Sequence, residues 1–98
     1  MNLYSTKSKR TNKKYGLLDR DKKYIISFGA SLYSDYTIHK ESDRKTNYLS
    51  RHKTNENWGV TGIKSAGFWS RWILWNKPTL EDSIRDVNKI FNINVKLI

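Results

Sequence analysis

The apolar positions of this chain fall in short, separated groups, and each group has its own period. Tyr15, Leu17 and Leu18 lead into the polar turn Asp19–Lys22, and Tyr24-Ile25-Ile26-Ser27-Phe28 follows, rich in β-branched and aromatic residues. This is the pattern of a hairpin. Alternation puts Tyr24, Ile26 and Phe28 on one face of the second strand, which Gly29 closes. The stretch from Ala30 to Thr37 reads as a connecting loop with Tyr33, Asp35 and Tyr36 in it. From Ile38 to Thr54 the pattern turns helical and very polar, with Arg44, Tyr48, Arg51 and His52 at three- and four-residue spacings. Tyr48 and Leu49 are the large apolar residues of its middle, so this helix offers a narrow apolar stripe and a broad charged face.

Asn57–Gly62 marks a turn. A short aromatic helix then spans about 66–76, where Phe68, Trp72 and Trp75 recur at i, i+4 and i+7 and Trp69 and Ile73 form an adjacent ridge; Asn76-Lys77-Pro78 stops it. The last helix, 80–91, carries the clearest local signals. Thr79 suits its N-cap, Glu81 and Asp82 suit the positive end of its dipole, and Leu80, Ile84, Val87 and Phe91 form a core-facing stripe. Asn92 ends it. Ile93, Val95 and Leu97 alternate with Asn94 and Lys96, which predicts a half-buried strand pairing with the hairpin. The expected fold is α+β: a small antiparallel sheet from the N-terminal hairpin and the C-terminal strand, about three helices, and a Trp-rich core.

Residues 1–14 fit neither period. Lys7, Lys9, Arg10, Lys13 and Lys14 stand among Ser, Thr and Asn with no acidic residue, which predicts a flexible basic arm ahead of a single domain at 15–98. That arm has no apolar run, which predicts no signal peptide, and no apolar stretch approaches the length of about 20 residues that spans a bilayer.

Composition sharpens this picture. Hydrophobic residues make up only 37% of the 98 residues, but four Trp, six Tyr and three Phe supply large rings for a small core. The absence of cysteine excludes disulfides, cysteine-ligated metals and a thiol nucleophile. Nineteen Lys and Arg against nine Asp and Glu give a net charge of +10, a field that draws polyanions. The candidate contacts to nucleic-acid phosphates are Lys7, Lys9, Arg10, Lys13 and Lys14 on the arm, Arg44, Lys45, Arg51, His52 and Lys53 on the polar helix, and Arg71 and Lys77 beside the Trp cluster. Most of the Trp residues are expected in the core rather than stacked on bases. His39 and His52 are 13 residues apart, too far along one helix to share an ion. No metal site, cofactor or catalytic residue is therefore expected. Gly59–Ser65 places Lys and Ser after glycines but lacks the spacing of a phosphate loop.

Tyr33-Ser34-Asp35-Tyr36-Thr37, His39-Lys40, Arg44-Lys45, Tyr48, Arg51-His52, Glu56-Asn57-Trp58 and above all the Trp-rich stretch from Ala66 to Thr79 resemble a family of small basic proteins of nucleocytoplasmic large DNA viruses. The resemblance covers about residues 24–91. It implies a viral setting, in a virus factory of the host cytoplasm or nucleus or in the virion, and assigns no catalytic residues. Two functions follow as expectations. One is a nucleic-acid-binding protein without catalysis, with DNA ahead of RNA as partner. The other is a minor capsid or core protein whose basic arm threads between virion proteins. A metal-dependent phosphoesterase ranks behind both.

Overall fold

Lys13–Leu18 (β2) and Tyr24–Ala30 (β3) form the expected antiparallel hairpin in a computed structural model that describes residues 1–98. The side chain of Asp19 accepts from the backbone N–H groups of Asp21 and Lys23 at 2.9 Å each, which closes the turn. Ile26 packs against the core and Phe28 lies fully inside it. Tyr24 does not join them. The pairing shifts between Leu17 and Leu18, and the Tyr24 ring lies instead over Gly16 and its hydroxyl meets Ser27, on the opposite face of the sheet.

Residues 1–14 are not a flexible arm. Asn2–Lys7 is a strand (β1), antiparallel to β2 and parallel to Asn94–Leu97 (β4), in a sheet of order β3-β2-β1-β4. The sheet is therefore mixed rather than antiparallel, and the last strand pairs with β1 rather than with the 15–28 hairpin. A first strand placed inside the sheet is bonded along both edges. On the β4 side, Asn94 N–H donates to Met1 O and Ile98 N–H to Ser5 O, both at 2.9 Å. Its core-facing residues are Leu3 and Ser5, both buried, so one large apolar side chain suffices and main-chain bonding supplies the rest.

The polar helix is split. Tyr36–His39 (α1) is capped by Asp35 and ends at Lys40, which sits in the left-handed region at φ 57°; Ser42–His52 (α2) follows. Tyr48 is the one buried residue of α2, as its narrow stripe predicts. Ala66–Trp69 (α3) starts on the Ser65 hydroxyl and widens into a π-helical turn over Ser70–Leu74, with Trp75 N–H bonded to Ser70 O. This wider turn breaks the single aromatic face expected for Phe68, Trp72 and Trp75. Phe68 and Trp72 pack on Phe91, whereas Trp75 points to α2 and stacks on Tyr48.

Leu80–Phe91 (α4) matches its expected bounds, with the Thr79 hydroxyl accepting from Asp82 N–H and Asn92 closing the helix in the left-handed region. The Asn88 amide grips β4, accepting from Val95 N–H at 2.8 Å and donating to Val95 O at 3.2 Å. The core joins Leu3, Leu17, Phe28 and Val95 of the sheet to Phe68, Trp69, Ile73, Leu74, Ile84 and Val87 of the helices. Trp69 is wholly buried and donates its indole N–H to Ile63 O at 2.6 Å; the other three Trp are half-buried.

Removing Met1–Lys7 should abolish cooperative thermal unfolding followed by circular dichroism, because it strips an interior strand. A truncated chain that melts like the full one would mean that β1 is dispensable.

Candidate functional site

A cleft of about 490 Å³ opens where the β2–β3 hairpin meets α2. This volume lies in the range of roughly 300–1,000 Å³ typical of small-ligand sites. Lys13 and Lys14 come from the start of β2, and Arg44, Tyr48, Arg51 and His52 from one face of α2, the four residues that helical spacing groups together. The loop before α1 supplies Tyr33, Ser34 and Asp35, and the floor is made by Gly67, Ser70, Leu74 and Trp75. Gly29, also in the lining, holds φ at 79°, and a side chain there would strike Leu74.

Two acids are embedded among these cations, and both are engaged internally. Asp35 is 2% exposed. One of its oxygens accepts the Lys14 ammonium at 2.5 Å, and the other accepts Thr37 N–H and the Thr37 hydroxyl, so this carboxylate ties β2 to the start of α1. Glu56 accepts His52 Nδ1 at 3.0 Å and the Trp58 indole N–H at 2.9 Å. Its carboxylate lies so close to Gly67 that a Cβ there would sit 2.8 Å from it. Lys13 and Arg51 have no such partner, and Arg44 holds only the exposed Glu41 at 3.2 Å. Positive charge is thus left over on the cleft walls.

The aromatic floor is rigid. Tyr48 is stacked between His52 at 4.1 Å and Trp75 at 4.2 Å, the latter pair within 3° of parallel, and Trp75 also meets His39 at 5.3 Å. Burial, with the Glu56 charge nearby, pushes the Tyr48 phenol well above its ordinary value, so it stays protonated. His39 and His52 sit at the two ends of this ring series, and no group of three or more His, Asp or Glu side chains converges as a metal site.

The twelve expected contacts divide into separate places. Lys13, Lys14, Arg44, Arg51 and His52 share the cleft. Lys7, Lys9 and Arg10 are exposed at the end of β1 and in the β1–β2 turn and do not line the cleft, and Lys53 is exposed just past α2. Lys45 is used structurally: its ammonium donates to Asn76 O at 2.7 Å and lies 5.1 Å from the Tyr36 ring. Burial, then Arg71 and Lys77, push its pKa down. Arg71 is also engaged, with its guanidinium over Trp72 at 4.3 Å and Trp58 at 5.4 Å and bonded to Trp75 O. Lys77 is exposed beyond the helix end. Sequence reasoning missed Tyr33 and Asp35 as parts of a site. Asp35 ahead of a helix start is a readable cap signal, whereas nothing in the pattern marks Tyr33.

Residues 5–52 match the model of a family of unknown function (DUF5754). That match runs from β1 to the end of α2 and contains every cation of the cleft; the Trp-rich stretch lies outside it. No curated protein and no solved structure matches the chain. No helix is long and apolar enough to cross a membrane.

Asp35→Ala should destabilise the protein by about 3 kcal/mol in guanidinium unfolding, since it strands the Lys14 ammonium and removes a helix cap. Asp35→Asn, which keeps a cap acceptor, should recover about 1 kcal/mol of that. Tyr48 makes a pH prediction. Its unfolded phenol has a pKa of 10.0 and its folded one lies higher, so above about pH 10 the folded state holds more protons and stability falls as pH rises. Lys45, depressed from 10.5, acts the other way below that value. Tyr48→Phe keeps the stack and should flatten the alkaline fall in the unfolding midpoint; an unchanged fall would place its origin elsewhere.

Proposed function

We propose that the protein binds nucleic acid through phosphate contacts in this cleft, without catalysis. The observation that carries this reading is the convergence of Lys13, Arg44 and Arg51, none held by a buried acid, on one concave surface of a chain with net charge +10. Phosphates are dense negative charge, and binding them releases condensed counterions. Lys14 and His52 line the same walls while anchored on Asp35 and Glu56, which fixes their positions. Lys45 and Arg71, committed to Asn76 and the Trp rings, drop out of the contact set.

The alternative of a virion protein with a threading arm loses its arm, because Asn2–Lys7 is built into the sheet. The resemblance of the Trp-rich stretch to small basic proteins of large DNA viruses supports a viral setting for the binding activity, in which the genome or its transcripts are the polyanion.

The test is a Lys13→Ala, Arg44→Ala, Arg51→Ala triple variant, titrated against labelled oligonucleotides by fluorescence anisotropy at several salt concentrations. Each phosphate contact contributes about 0.7 to the slope of log affinity against log salt on a single strand. The variant should bind more weakly across all sequences, with a slope lower by about 2. Unchanged affinity and slope would overturn the assignment to this cleft.

A further inference from the structure

Tyr33 stands out from the remainder of the cleft. It is 74% exposed, beside Leu32 at 95%. Its ring has no aromatic or cationic neighbour in the fold and its hydroxyl has no partner; its one bond is from its backbone N–H to Ala30 O. The loop that carries it is nonetheless fixed at both ends. Before it, the Ser31 hydroxyl and N–H donate to Thr11 O and Asn12 O at 2.9 and 3.2 Å. After it, Asp35 is buried on Lys14. A ring held up by an anchored loop at the rim of a cationic cleft, and used for nothing internal, is arranged to meet a ligand that has a flat aromatic face as well as negative charge.

We infer that the cleft takes an unpaired nucleotide of a single-stranded nucleic acid, with its base stacked on Tyr33 and its phosphates on Lys13, Arg44 and Arg51. This rests on the phosphate-binding reading above and adds to it the strand type and the stacking residue. Shape argues for the single strand. The bases of a duplex are stacked on one another inside it, out of reach of a rim tyrosine, and its phosphates lie on the outside of a stiff rod that does not enter a cleft the size of a small-ligand site. A flexible strand can turn one base out, and base–aromatic stacking tolerates any base. Deoxyribose and ribose strands share this chemistry.

The test compares labelled oligothymidylate and oligouridylate of about twelve nucleotides, within the site sizes of single-strand binders, with a duplex of the same length. The proteins are the full chain and its Tyr33→Ala and Tyr33→Phe variants. The expected result is tighter binding of the single strands than of the duplex. Tyr33→Ala should then lose about tenfold on the single strands and nothing on the duplex, and Tyr33→Phe should keep the wild-type affinity. Equal loss for both strand chemistries, or a larger loss for one, supports the inference and in the latter case names the sugar. Wild-type affinity in Tyr33→Ala, or a duplex bound as tightly as the single strands, would overturn the stacking inference and leave phosphate binding standing. No binding of any strand at low salt would overturn both.

Discussion

The structure depends on Trp69. Seven of the ten core side chains are aliphatic, and among the three rings this indole joins the helix layer to the sheet. It meets Phe28 of the sheet at 6.5 Å and Phe68 of its own helix at 5.0 Å, while its N–H is satisfied by Ile63 O. A buried indole without that acceptor would carry the desolvation penalty of an unpaired donor. The contact fixes how far α3 stands from β3, and so sets the floor of the cleft, where Leu74 reaches under Gly29.

A second constraint is the placement of the chain ends. β1 lies inside the sheet and β4 lies parallel to it on the edge, so the first and last segments of the sequence close the fold together. Closure is largely main-chain bonding, supported by the Asn88 amide on Val95. This arrangement leaves β3 as the far edge of the sheet, and the basic cleft is lined from the β2–β3 hairpin and α2.

Charge follows the same division. Several of the few acids are spent inside the molecule: Asp35 on Lys14, Glu56 on His52 and Trp58, and Asp86 on Asn76. Three cations, Lys14, Lys45 and Arg71, are engaged in the fold as well, so the surplus of +10 is left to the other side chains, and in the cleft part of it is gathered on a concave surface with an aromatic floor. An acid used as a structural tie also holds its cationic partner in place, which pre-organises the wall it belongs to.

The sequence by itself determined the elements with strong periods. The hairpin over Tyr15–Phe28, the capped helix from Thr79 to Asn92, the narrow stripe on Tyr48 and the alternating strand at the end were all readable, because burying one face of a helix or strand writes a repeat into the side chains. The grouping of Arg44, Tyr48, Arg51 and His52 on one helical face was readable for the same reason. Only the tertiary structure decided the rest. β1 is held by backbone bonds on both edges with Leu3 as its one large core side chain, and backbone bonds leave no mark on residue type. The π-helical turn sends Trp75 to Tyr48 through a main-chain change that a fixed 3.6-residue period cannot express. Lys45 and Arg71 look like free cations until the fold gives them Asn76 O and two indoles, and Tyr33 joins the lining of one cleft with Lys13 and Arg51 only through the tertiary fold.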